Sequence, residues 1–154
     1  MKGIQQKLHY CARNKENEIK RARRILLVED KEGQVFFIGS ELENMGCKVV
    51  TAKSLEGVKK ALKRYVHLSC AFLDLGIYKG DSMSAKDQCL NVKWGLQAAR
   101  RLKTRLGKRR ILICTSFLED NAVVAGLAAL RMKAIAKPIP SAELRRRMAE
   151  MLDE

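Results

Sequence analysis

Four apolar runs in this sequence end on residues equipped for chemistry. Ile25-Leu26-Leu27-Val28 stops at Glu29-Asp30, and Ala71-Phe72-Leu73 stops at Asp74. Ile111-Leu112-Ile113-Cys114 stops at Thr115-Ser116, and Ala134-Ile135-Ala136 at Lys137-Pro138. Any one of these residues could merely cap a helix, a position that Asp and Thr favour. Gathered in one place they would be a different object. Glu29, Asp30 and Asp74 would repel one another and raise each other's pKa unless a cation stood among them, so a Mg²⁺ site is expected, with Lys137 as one balancing charge. A carboxylate beside a hard divalent ion, a hydroxyl donor and an ammonium suits a phosphoryl group, whose charge spreads over its equatorial oxygens. Asp74 would be the nucleophile.

Such residues need a scaffold that gathers them. Arg24 to Val28 reads as a short buried strand. Val35, Phe36, Ile38, Leu42 and Met45 then recur at helical intervals as far as Gly46, and Lys48-Val49-Val50-Thr51 reads as a second strand. Ser54 caps a helix through Val66. Leu68 to Leu75, Ile111 to Cys114 and Ala134 to Ala136 supply three more strands, with helical patterns at about 91–106, 119–131 and 141–152. This alternation predicts a doubly wound α/β fold, a five-stranded parallel sheet with helices on both faces. The loops after parallel strands meet at one edge, where ligands bind, so residues far apart in sequence converge there. Residues 76–90 break the regularity as a polar stretch longer than the usual connection from strand to helix.

The 154 residues, 47% of them hydrophobic, suit one domain with one core. Lys and Arg number 31 against 17 Asp and Glu, and the resulting +14 favours acidic or phosphate-bearing partners over an acidic substrate pocket. The five cysteines form no CxxC pair, which argues against a disulfide framework or a zinc ribbon and for a reducing compartment. No run approaches the ~20 apolar residues of a membrane span, and charges occupy the N-terminus where a signal peptide would be apolar, so a cytoplasmic protein is expected. Residues 1–24 hold eight basic side chains and only Glu16 and Glu18, with Ile4, Leu8 and Cys11 at helical spacing. We read residues 1–22 as a basic arm of helical pattern. The basic residues from Arg100 to Arg110 could bind nucleic acid, but cations are favoured at a helix C-terminus in any case, and no nucleic-acid-binding motif accompanies them. Nucleic acid is therefore not the favoured partner. His9 and His67 are isolated and match no catalytic or metal-binding pattern.

ILLVED, AFLDL, ILICTS and AIAKP stand in an order and at a spacing that resemble the receiver domains of two-component response regulators. Each motif is weak alone, whereas four in order are rather specific. The resemblance covers about residues 23–153, within a receiver domain read as 23–154. It implies a flavodoxin-like, CheY-like sheet of order 2-1-3-4-5 and a stand-alone switch that acts through protein binding. Asp74 would accept a phosphoryl group from a histidine kinase, a phosphotransfer protein or a small phosphodonor. Asp30, Asp74 and the backbone carbonyl of Gly76 would ligate Mg²⁺, with Glu29 acting through a bound water. Thr115 would hydrogen-bond one phosphoryl oxygen, Lys137 would pair with another, and the Lys137-Pro138 bond would be cis.

The departures from that pattern carry their own expectations. Tyr78 replaces the proline usual four residues after the phosphoacceptor, and Ala134 replaces the aromatic residue of the fifth strand, so the usual switch mechanism is not expected intact. Gly95, which opens the next helix, follows Asp74 by 21 positions where relatives use about eight, so residues 76–90 carry an insertion of about 13 residues over the site. Residues 122–130 bear no polar side chain, and an apolar strip left exposed there would pair two copies through the helix at 119–131 or accept the arm. Two rival readings are a degenerate receiver that is never phosphorylated and a basic nucleic-acid-associated module. A phosphatase of the haloacid dehalogenase type is disfavoured, because its general acid two positions after the nucleophile would be Gly76.

Overall fold

The computed structural model describes residues 23–81 and 91–153. The expected arm at 1–22 and the greater part of the expected insertion lie outside the described residues. Five parallel strands form one sheet in the order β2-β1-β3-β4-β5: β1 Arg24–Val28, β2 Lys48–Ala52, β3 Cys70–Leu73, β4 Ile111–Thr115 and β5 Ala134–Ala136. Between and after them run α1 Glu32–Asn44, α2 Leu55–Arg64, α3 Val92–Leu106, α4 Asn121–Leu130 and α5 Ser141–Asp153. None of the described helices is long and apolar enough to cross a membrane.

Alternation along the strands divides the core into two layers. Leu26, Val28, Ala71, Leu73 and Ile113 point to one face and meet Val58 of α2, Ala98 and Leu102 of α3, and Val123 and Leu127 of α4. Ile25, Leu27, Cys70, Phe72 and Cys114 point to the other and meet Ile38 and Leu42 of α1 and Leu144 and Met148 of α5. Burial on both faces is why these strands read as unbroken apolar runs rather than as alternating ones.

Three of the helices, α2, α3 and α4, start where short polar side chains satisfy their free amides. Ser54 Oγ accepts from Gly57 N at 2.9 Å, Asn91 Oδ1 from Lys93 N at 2.8 Å, and Asp120 Oδ1 from Ala122 N at 2.8 Å and Val123 N at 3.1 Å. The Asp120 cap starts α4 at Asn121 rather than at 119, and α2 ends at Arg64, where Tyr65 turns extended. The third strand is shorter than the apolar run Leu68–Leu75 predicts. Pairing with β1 ends at Leu73, so Asp74 and Leu75 lie just past the strand, buried in the loop that follows. The sequence puts Val123, Val124, Leu127 and Leu130 of α4 on one sheet-covering face; Val123, Leu127 and Leu130 are buried, but Val124 is 55% exposed beside Ala125, Ala128 and Ala129. A stretch of uniformly apolar sequence gives no phase, so the sequence could not separate Val123 from Val124.

Candidate functional site

Each proposed site residue follows a strand, and the parallel sheet brings the four strand ends together. Glu29 and Asp30 leave β1, Asp74 leaves β3, Thr115 closes β4 and Lys137 follows β5. Glu29, Asp74 and Thr115 are buried, an arrangement rare for carboxylates without a partner. The partner is Lys137, whose Nζ stands 2.5 Å from Glu29 Oε2 and 2.8 Å from Asp74 Oδ2. Backbone amides hold the remaining oxygens: Gly76 N donates to Asp74 Oδ1 at 3.2 Å, and Lys31 N donates to Glu29 Oε1 at 3.2 Å. Thr115 Oγ1 accepts from Phe117 N at 3.3 Å, while the Thr115 carbonyl accepts from Lys137 N at 3.1 Å. The Lys137-Pro138 peptide is cis, as the resemblance implies.

Charge in this cluster is unbalanced. Glu29, Asp30 and Asp74 each offer an oxygen within 4.8 Å of the others, against the single ammonium of Lys137. Burial pushes the Asp74 carboxyl above its ordinary pKa despite the hydrogen bond from Lys137. Burial also works against the charge on Lys137, but hydrogen bonds to Asp74 and Glu29 outweigh it and hold the ammonium above its usual value. Asp30 Oδ1 is buried and has no hydrogen-bond partner. An orphaned carboxylate oxygen between two other carboxylates fits a hard, oxygen-seeking divalent cation such as Mg²⁺.

Two openings reach the cluster. A hollow of about 220 Å³ is lined by Lys31, Gln34, Ser116, Lys137 and Pro138. A larger one of about 700 Å³ runs between α1 and α2, with Glu29 and Asp30 at one end and Phe36, Tyr65 and Tyr78 among its walls. Gly76 lies beneath Phe117, so close that a Cβ there would fall 2.7 Å from Phe117 Cε2.

The first part of the long β3–α3 connection is anchored away from the cluster, on α2. Leu55 N donates to the Tyr78 carbonyl at 2.9 Å and Glu56 N to the Lys79 carbonyl at 3.0 Å. Asp81 accepts from Ser54 Oγ and from Lys60 Nζ at 2.9 Å, and its own amide donates to Glu56 Oε2 at 3.1 Å. Asp81 carried no signal in the sequence, since it sits in a polar stretch without pattern and its partners lie more than twenty positions away.

The family model of the response regulator receiver domain matches residues 25–149. The chain belongs to that family. Solved structures agree in fold. A CheY-like response regulator receiver domain protein from Methanospirillum hungatei JF-1 is 17% identical over 86% of this chain and 94% of its own, with a TM-score of 0.67. The receiver domain of a sensor histidine kinase from Pseudomonas aeruginosa PAO1, solved with a magnesium ion coordinated in its active-site cleft, is 20% identical over 86% of this chain and 99% of its own, with a TM-score of 0.64. A response regulator from Thermotoga maritima is 15% identical over 86% and 99%, with a TM-score of 0.62. Among curated proteins there is no significant match. Membership in the receiver family makes two-component signalling the setting of this domain; receiver domains bind Mg²⁺ in the active site, and Glu29, Asp30 and Asp74 form an acidic cluster here.

Proposed function

We propose that this receiver is a phosphorylation-controlled switch whose acceptor is Asp74. The observation that carries the reading is the joint burial of Glu29, Asp74 and Thr115 around one lysine, with an oxygen of Asp30 unpartnered beside them. An oxygen of Asp74 attacks the phosphorus of a phosphohistidine or small phosphodonor, the donor's bond to phosphorus breaks, and its electron pair leaves with the donor. Asp30, Asp74 and the Gly76 carbonyl would hold Mg²⁺, with Glu29 reaching it through a water. Bound there, the ion supplies positive charge to the phosphoryl oxygens. Lys137 pairs with one of those oxygens and Thr115 Oγ1 donates to another. The burial of Asp74 keeps bulk water from the acyl phosphate.

The partner on this reading is a histidine kinase or a phosphotransfer protein. Phe36, 78% exposed on α1 beside the opening that ends at Glu29 and Asp30, offers such a donor an apolar foothold. Buried, unpaired Cys47, Cys70 and Cys114 support a reducing, cytoplasmic setting. Incubation with Mg²⁺ and a small phosphodonor, followed by intact-mass measurement, tests the reading. One phosphoryl increment on the wild type and none on Asp74→Ala is the expected result. An unchanged mass together with no Mg²⁺ binding would assign the chain to the degenerate receivers.

A further inference from the structure

The edge of the sheet opposite Asp74 is as rich in cations as the site edge is in acids. Because all five strands are parallel, Arg23 just before β1, Arg24 at its start, Lys48 at the start of β2, and Lys108 and Arg109 before β4 share that edge. Lys133 precedes β5 there as well. The returning helices end at the same edge and add Lys63 and Arg64 from α2 and Arg105 from α3. Contacts across the edge tie these groups into one surface. The guanidinium of Arg24 lies 4.9 Å and that of Arg64 5.5 Å from the centre of the Tyr65 ring, and Arg105 donates to the Val66 carbonyl at 3.0 Å.

Helix-end stabilisation accounts for part of this. Lys103, Arg105 and Arg110 each satisfy a backbone carbonyl. The cations outnumber those three carbonyls, however: Arg24, Lys48, Lys108, Arg109 and Lys133 also stand at or near strand starts on this edge. The acids here lie in the last turns of α1 and α5: Glu43 in α1 with Glu41 paired to Arg145, and in α5 Glu150 paired to Arg146 and Asp153 to Arg23 at 3.4 Å. Gathering like charges costs self-repulsion, which an anionic partner relieves.

We infer that this edge binds the phosphodiester backbone of a nucleic acid, without regard to sequence. Guanidinium forks match phosphate oxygens two at a time, and arginine supplies much of the charge. Tyr65, half-buried beneath the Arg24 and Arg64 guanidinium groups, holds both of them at this edge. A lipid surface fits less well, because of the large exposed apolar side chains among the described residues only Val66 lies at this edge. The acidic site edge faces away from such a partner, so Asp74 stays open to its phosphodonor.

The test is fluorescence anisotropy of the full-length chain with labelled oligonucleotides of about 20 nucleotides, as single-stranded DNA, RNA and duplex. Neutralising about four phosphates predicts a roughly hundredfold loss of duplex affinity between 50 and 200 mM salt. Lys108→Glu with Arg109→Glu, both exposed, should weaken binding at least about tenfold and flatten the salt dependence. Lys79→Glu with Lys93→Glu makes the same change of charge at the site edge and should cost far less, with circular dichroism melts verifying that both variants fold. Comparison of the three oligonucleotides identifies which nucleic acid is held. No binding at 50 mM salt, equal loss in both double variants, or retention only by phosphatidylserine vesicles would overturn the inference.

Discussion

Lys137 answers two buried carboxylates with one ammonium, and Asp30 stands beside them with an oxygen that nothing satisfies. The deficit has a measurable sign. Folding raises the proton affinity of Asp74, so in chelator the native state is penalised as pH rises through and beyond the ordinary carboxylate range. Asp74→Asn should therefore raise the thermal stability of the metal-free chain by about 1 kcal/mol, a gain that shrinks when Mg²⁺ steadies the wild type. A second residue-scale outcome concerns Gly76 and Phe117, which stand two positions after Asp74 and Thr115. Neither side chain can hydrogen-bond a water, and the Phe117 ring covers Gly76. Once formed, the acyl phosphate should decay slowly, and Phe117→Asn should shorten its lifetime severalfold. A wild-type half-life of seconds would contradict this.

At the scale of elements, the approach of α3 to the end of β3 depends on a missing side chain. A Cβ at Gly95 would lie 2.0 Å from the Leu75 carbonyl oxygen, and backbone cannot step aside as a flexible side chain does. Gly95→Ala should cost at least about 3 kcal/mol in a denaturant melt, because the helix must lift off the loop that carries Asp74. Asp74, Thr115 and Lys137 were legible in the sequence because each ends an apolar run and a parallel sheet sends every such end to one edge. The strand order also followed from the resemblance. What the sequence could not give depends on distance in the chain: the ring of Phe117 over Gly76, the hold of Asp81 on α2, and the phase of α4, where an unbroken run of Ala, Val and Leu carries no polar marker. The shortness of β3 was hidden for a related reason. Leu68 and Leu75 are buried like strand residues, and only the pairing with β1 shows that they lie outside.

For the whole molecule, pairing of two copies through α4 rests on a narrow strip, Val124 with Ala125, Ala128 and Ala129. If that strip is the interface, light scattering at micromolar concentration should give a dimer for the full chain and for a chain lacking residues 1–22, and Val124→Asp should return both to monomers. A monomer throughout would make the strip ordinary surface. The two ends of the described body also meet: Arg23 enters β1 at the edge where α5 finishes, and its guanidinium reaches Asp153. Far away, residues 77 and 91 are bridged to each other while Asp81 is bound to α2, so both feet of the β3–α3 connection stand fixed. The order in which the chain visits its strands is thus separable from the architecture. A circular permutant, with a short Gly/Ser linker from 153 to 23 and new termini opened within 82–90, breaks none of the described strand pairings and should melt cooperatively like its parent.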